Sequence, residues 1–278
     1  MTNESRANYL EINRRWWDEA ARLHVDTELY PLDEIVAGFD PRRPFEDEEV
    51  GAVEGLALLH LQCHLGTDTL AWARRGARVT GYDLSGESLR VARELFVRAG
   101  VAGTFVEGPV SEARERLGEA RFDLVYTGIG ALNWLPDLAE WAGEVWHLLR
   151  PGGRLYLVEF HPLLGVLRED LPELDPSADY FYRPEGLVST DPGDYADPDA
   201  VREHSANVEW QHHVGEVIQV LLDAGFALEY FAEHDAMSFS PWPGMERVEG
   251  QLRWRLGRGR PRLPLEYSLL ARRPSREV

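Results

Sequence analysis

The stretch Leu56-Ala57-Leu58-Leu59-His60-Leu61-Gln62-Cys63-His64-Leu65-Gly66-Thr67-Asp68-Thr69-Leu70 joins an apolar run, a short loop ending in glycine and the start of a helix. A second run closes at Gly81-Tyr82-Asp83, which sets a carboxylate seventeen residues beyond Gly66. Strand, tight loop, helix and strand in this spacing form a nucleotide-binding βαβ unit, with an acidic residue poised for a ribose. Thr67 or Asp68 is placed to cap the helix.

Working outward, the alternation continues. Strands are predicted over 56–61, 77–82, 104–107, 122–126 and 154–160, and helices over 67–75, 86–99 and from Leu138 to Leu149. Arg150-Pro151-Gly152-Gly153 stops the last of these helices. Such alternation means a parallel sheet with helices on both faces. A helix over 213–224 and strands over 227–233 and 265–271 follow, and the lack of a helix between those two strands makes them an antiparallel pair at the sheet edge. Upstream, Tyr9, Ile12, Trp16 and Leu23 share one face of a lead-in helix. Between 162 and 205 the rhythm breaks into Pro162, Pro172, Pro176, Pro184, Pro192 and Pro198 among aspartates, with Tyr180, Phe181, Tyr182 and Tyr195, the composition of a surface insertion or a lid. The division expected is 1–54 a helical cap and connection, 55–161 the nucleotide-binding core, 162–205 the insertion, and 206–278 the rest of the core.

Composition narrows the chemistry. All 29 basic residues among the 278 are arginine, so a Schiff-base lysine, a pyridoxal phosphate anchor and a Walker A lysine are excluded. A net charge of −19 disfavours nucleic acid and leaves small molecules as the expected partners. Arg253, Arg255, Arg258, Arg260 and Arg262 read as a solvated loop pairing with the chain's own acids. The single cysteine, Cys63, allows no intrachain disulfide, and with neither a secretory signal nor an apolar run of membrane length the expectation is a soluble, cytoplasmic protein. His212-His213, His204 and His234 show no metal-ligand spacing, so no metal is expected. Oligomeric state is not readable.

The predicted strand order of elements and the Pro-Gly-Gly turn resemble the class I S-adenosylmethionine-dependent methyltransferases over roughly 56–160 and 208–271. More narrowly, residues 60–70, Asn133-Trp134-Leu135-Pro136-Asp137 and Glu159-Phe160-His161-Pro162 look like a bacterial subgroup with a LQCHxGTDTL-type first motif. The resemblance implies a doubly wound, Rossmann-like α/β fold of seven mostly parallel strands with a C-terminal antiparallel pair. It also implies S-adenosylmethionine as cofactor and methyl transfer to a small molecule. His60 stands where the superfamily usually has an acid, and Gln62 and His64 stand at two glycine positions, leaving Gly66 alone. A dinucleotide pyrophosphate needs bare backbone, whereas this donor has no phosphate, so the crowded loop weighs against the rival reading of an NAD-dependent oxidoreductase. A non-catalytic nucleoside-binding protein is the other rival.

Donor contacts are assigned to His60, Gln62, Cys63 and Gly66 in the loop, Asp83 for the ribose, Leu84 beside adenine, Glu107 or backbone at adenine's amino edge, and Thr127 and Gly128 along the methionine end. His64 is read equally as a ligand contact or a hydrogen-bonded loop residue. Methyl transfer requires alignment, exclusion of water and, for a hydroxyl or ammonium nucleophile, a base. His161, just past the fifth strand, is the first candidate, with Glu159 as neighbour and His24 arriving from the amino-terminal segment.

Overall fold

The computed structural model describes residues 3–168, 173, 178–197 and 199–275, with side chains from residue 8 onward. Pro172, Pro176 and Pro198 lie outside the described residues. The amino-terminal part holds α1 (Asn3–Leu23), α2 (Leu32–Ala37) and α3 (Glu46–Val50). The core then runs β1 (Ala57–Leu61), α4 (Thr67–Arg74), β2 (Arg78–Asp83), α5 (Gly86–Ala99), β3 (Thr104–Glu107), α6 (Ala113–Leu117), β4 (Phe122–Gly128), α7 (Leu138–Leu148) and β5 (Leu149–Phe160). After it come β6 (Leu187–Ser189), β7 (Asn207–Glu209), α8 (Val214–Asp223), β8 (Ala227–His234), β9 (Ala236–Met237), β10 (Glu246–Arg247), β11 (Trp254–Arg255) and β12 (Glu266–Arg272).

Seven strands make the main sheet in the order β3-β2-β1-β4-β5-β12-β8. β12 runs antiparallel to both its neighbours, and the remaining pairs are parallel. This is the expected fold class. β1 buries both faces: Leu59 and Leu61 pack with Trp141, Val145 and Leu157 under α7, while Leu58 packs with Leu70, Val79 and Leu124 on the opposite side. A central parallel strand is covered on both sides, which is why its residues read as a continuous apolar run. Connections leave β1 toward β2 on one side and arrive at β4 on the other, so a crevice opens beyond the carboxyl ends of these two strands.

Helix starts follow local chemistry. Ser85 accepts the Ser88 N–H to cap α5, and Asp137 accepts the Glu140 N–H to cap α7. The expected cap of α4 by Thr67 or Asp68 is corrected: Gly66, in the left-handed region at φ 71°, holds the cap position without a side-chain bond, and Asp68 turns to other partners. Gly152, at φ 83°, lies inside β5 rather than ahead of it, with a register shift against β4 between Phe122 and Leu124.

The insertion and α1 form one layer. Asn13 donates through Nδ2 to the Val208 carbonyl and accepts the Val208 N–H at Oδ1, both at 2.8 Å, so one side chain imitates a strand partner for β7. Glu19 accepts the N–H groups of Glu203 and His204, and the Arg202 guanidinium lies 3.6 Å over the Trp16 ring. Of the expected face Tyr9 and Trp16 are buried, while Ile12 and Leu23 are half-buried and Asn13 and Ala20 complete the buried stripe of α1, with His24 just past its end. A short antiparallel sheet of β10, β11 and β9 packs beyond the end of β5 around Leu167, Met237, Trp242 and Leu265. Arg253, expected in a solvated loop, is instead buried, with Nη2 2.7 Å from Glu266 Oε2, whereas Arg262 pairs with Asp235 in the open. None of the described helices is long and apolar enough to cross a membrane.

Candidate functional site at the carboxyl ends of the central strands

The loop after β1 is held in an expensive conformation. Gln62 and His64 take φ values of 62° and 46°, a region that costs a residue with a Cβ about 1–2 kcal/mol. Hydrogen bonds offset the strain. Gln62 Nε2 donates to the Ala131 carbonyl at 2.8 Å, the His64 N–H donates to Asp83 Oδ2 at 2.8 Å, and the Cys63 N–H donates to the Tyr82 carbonyl at 3.1 Å. Gly66 must stay bare, because a Cβ there would lie 2.9 Å from that of Ala92 on α5. A Cβ on Gly81 would meet Cys63 Sγ at 2.8 Å, so the cysteine packs directly on β2.

Asp83 ends β2 with only 9% of its surface exposed. Its Oδ1 accepts the Ser85 N–H at 2.9 Å and Oδ2 the His64 N–H, and burial pushes its pKa up to about 6 against the pull of those donors. Each carboxylate oxygen offers two acceptor sites, so each keeps one for a ligand hydroxyl. Leu84 is half-buried beside it, and the exposed Glu107 sends its carboxylate toward Gly86, where a Cβ would lie 2.9 Å from Oε2. At the end of β4, Thr127 is buried and its hydroxyl has no partner among the described residues; the same holds for Gln62 Oε1.

His60 lies beneath this floor. Its Nδ1 is 2.8 Å from Thr69 Oγ1 and its Nε2 3.4 Å from the Gly128 carbonyl, and burial lowers its pKa to about 4. A buried polar knot adjoins it. Arg43 Nη1 reaches Glu46 Oε1 at 3.0 Å, Asp68 Oδ2 at 3.0 Å and Tyr126 Oη at 3.1 Å, and the Tyr126 hydroxyl donates to Asp68 Oδ2 at 2.9 Å.

The roof comes from α1 and the insertion. Trp16, Trp17 and Trp134 meet edge-on or tilted with ring centres 4.9–5.1 Å apart, and Trp17 also packs on His64. Asp18 Oδ1 accepts from Ser85 Oγ at 2.7 Å, directly over the start of α5. A chain of hydrogen bonds crosses this layer: Ser88 Oγ to His64 Nδ1 at 3.0 Å, His64 Nε2 to His24 Nδ1 at 2.8 Å, and His24 Nε2 to Asp194 Oδ2 at 3.2 Å, with Arg202 on the far side of that carboxylate. With Asp194 ionised only one proton order satisfies every link when both rings are neutral: Ser88 donates to His64, His64 to His24, and His24 to Asp194. Burial lowers the pKa of both histidines, most strongly at His64. Tyr30 stacks on His24 and shares a 2.9 Å bond with Tyr195 of the insertion.

The structure thus brings Gln62, Cys63, Gly66, Asp83 and His24 to one crevice, with Thr127 and Gly128 at its β4 side, and sets His60 below. It turns Glu159 and His161 to partners outside the His64–His24 chain. Glu159 accepts four backbone N–H groups, from Gly130, Ala131, Leu132 and Phe160, so its carboxylate shapes the loop after β4. His161 Nδ1 accepts the Leu163 N–H and Nε2 lies 3.1 Å from Glu233 on the edge strand. Sequence reasoning passed over Asp194, Ser88, Arg43 and Tyr126 as parts of this region. Asp194 stood among many aspartates, and no spacing links Arg43 to Asp68 before the chain folds.

Comparisons with known proteins bear on the sequence and the fold. Residues 59–155 match the family described as a methyltransferase domain. The chain is 31% identical over 151 residues to a ubiquinone biosynthesis O-methyltransferase of Leptothrix cholodnii, covering 54% of this chain and 60% of that protein. It is 30% identical to the protein of the same name from Serratia proteamaculans, covering 54% and 58%. The match therefore spans less than two thirds of these relatives' length. Among solved structures, an S-adenosylmethionine-dependent methyltransferase of Mesorhizobium loti superposes with a TM-score of 0.56 at 22% identity, covering 86% of this chain and 100% of the other. A putative enzyme of the same kind from Listeria monocytogenes gives a TM-score of 0.56 at 16% identity, covering 81% and 94%. Over residues 59–155 the chain is thus similar in sequence to methyltransferase domains, and its fold is the one these S-adenosylmethionine-dependent methyltransferase structures share.

Proposed function

We propose that the protein transfers a methyl group from S-adenosylmethionine to a hydroxyl of a small molecule. One observation carries the reading: a buried carboxylate, Asp83, ends the strand next to the switch point between β1 and β4, bonded to the loop after β1. The residues present fit the donor. Asp83 keeps an acceptor site on each oxygen for a ribose diol, Leu84 offers an apolar face, and the unpartnered Gln62 Oε1 suits an ammonium group. When bound, the donor supplies an electrophilic methyl on a sulfonium. The oxygen nucleophile is taken from the names of the relatives.

Proton uptake falls to His24 and His64 in this reading. Both are neutral near pH 7 because burial disfavours the charged form. A proton taken at His64 Nδ1, where the Ser88 hydroxyl sits, moves the Nε2 proton on to His24 and leaves the positive charge beside Asp194, which stabilises it. Trp17, Trp134 and the insertion exclude water. Admission of donor requires α1 and residues 199–209 to lift, because Trp17 and Asp18 cover the ribose side of the crevice. The domain division and the lid role of the insertion belong to this same reading.

Calorimetric titration with S-adenosylmethionine, S-adenosylhomocysteine and NADH tests the cofactor, with binding of the first two expected; binding of NADH alone would overturn the assignment. Incubation of small-molecule extract with methyl-labelled donor tests turnover. A catalyst labels at least one metabolite, and His24→Asn is expected to lower kcat about 100-fold, the range of lost general base catalysis, with donor affinity held.

A further inference from the structure

Two surfaces of opposite charge stand at the carboxyl end of the sheet, and the chain itself neutralises neither. We infer that they meet in a reciprocal contact between two copies of this chain, the arginine loop 247–262 of one copy lying on residues 181–197 and 199–203 of the insertion of the other.

Residues 247–262 carry six arginines against Glu249, so in a chain of net charge −19 they hold +5 and the rest holds −24. Elsewhere arginines find acids readily: Arg14, Arg75 and Arg90 each hold two. In this loop the expected pairing with the chain's own acids is met only at Arg253 and Arg262. Arg247, Arg255, Arg258 and Arg260 are exposed and form no salt bridge among the described residues. The insertion is the complement. Glu185, Asp191, Asp199 and Glu203 are exposed and likewise form no salt bridge among the described residues. In the same segment Phe181, Leu187, Val188, Tyr195 and Val201 are 47–74% exposed, five of the ten large apolar side chains in the open among the described residues. β6 pairs with β7 alone, so its outer edge is unused. An exposed apolar strand edge is a site of association.

Charge selects the occupant. Nucleic acid or an anionic membrane would match the arginine loop but meet repulsion from the rest of the surface, and neither complements the acidic insertion. A second copy matches both surfaces at once. The arginine loop extends from the small sheet beyond β5 and the insertion roofs the crevice, so a two-fold axis at this end of the sheet pairs each loop with the other copy's insertion. Under the methyl-transfer reading this contact clamps the segment that lifts to admit donor, but the association itself rests on no part of that reading.

Sedimentation velocity of the full chain, without donor, tests the association. A dimer is expected at about 10–100 µM chain in about 50 mM salt, with affinity falling about tenfold or more at about 500 mM as exposed charges are screened. Arg258→Glu with Arg260→Glu, and separately Glu185→Arg with Asp199→Arg, should each stay monomeric, because like charge then faces like. Their unfolding temperatures should match the wild type, since the substituted side chains are exposed and hold no salt bridge. An equimolar mixture of the two variants should dimerise again, because both contacts regain opposite charge. A wild type monomeric up to about 100 µM in low salt, a dimer that survives either reversal, or a mixture that fails to associate would each overturn the proposal. So would a monomeric wild type that binds labelled duplex DNA or phosphatidylglycerol vesicles and loses that binding with Arg258→Glu and Arg260→Glu, which would assign the loop to a polyanion.

Discussion

At the scale of single residues, burial sets the chemistry. In the proposed function Asp83 receives the donor ribose, so Asp83→Ala should weaken S-adenosylmethionine binding about tenfold or more, the 1.5–3 kcal/mol of a hydrogen bond to a charged group. Calorimetry reads the affinity, and unfolding curves show whether the loop that leans on Asp83 survives. Unchanged affinity would mean that the ribose lies elsewhere. His60 governs a different property. Between its folded pKa of about 4 and its unfolded value of 6.5 the unfolded chain binds the extra proton. Stability is therefore intact above about pH 6.5 and is lost as pH falls toward 4, by roughly 3 kcal/mol in full. Asp83, whose pKa is raised to about 6, works in the opposite sense, since its protonation relieves a buried charge as pH falls. Comparing denaturation midpoints of the wild type and His60→Asn from pH 7 to 4 isolates the histidine. The variant should show the shallower acid loss, and parallel curves would remove His60 from the account.

At the scale of elements, α1 and the insertion behave as one unit because their bonds are mutual. Asn13 satisfies both polar groups of Val208, and no other side chain does so on β7 among the described residues. Asn13→Ala leaves a buried N–H and carbonyl unmet, at a cost of about 1–3 kcal/mol confined to that layer. Amide exchange at residues 207–209 should accelerate while β1 and β4 keep their protection, and donor association should become faster as the roof loosens. Uniform acceleration through the sheet would instead show that α1 is integral to the core.

At the scale of the whole molecule, the amino-terminal connector is bound to the sheet by charge as well as by apolar contact. Arg43 pairs with both Glu46 and Asp68, and the Glu46 pKa already stands at about 7 through burial. Arg43→Met strands both carboxylates, so a loss of about 3–5 kcal/mol in urea denaturation is expected, the range for a broken buried pair. Loss below about 1 kcal/mol would place the knot in contact with water. Since Tyr126 and Asp68 sit at the foot of the crevice, the same variant should also lower donor affinity.

How much of this was legible before folding depends on range. The alternation of strands and helices and the carboxylate at Asp83 are written within a few residues of where they act, because backbone propensity and periodicity are local, whereas the cap of α4 fell to Gly66 and not to Thr67 or Asp68. The antiparallel final strand followed from the missing helix before it. What the spacing could not show is which polar groups face one another across the crevice. Glu159 and His161 occupy the positions a base would take, yet backbone N–H groups claim the lone pairs of both, and the His161 Nε2–H donates to an edge-strand carboxylate. His24 meets His64 forty residues away and Asp194 farther still. Local pattern determined the sheet and the carboxylate that ends its second strand; only the tertiary structure decided the buried ionic knot and the histidine chain, because the pairing of charges removed from water depends on distances that no sequence interval encodes.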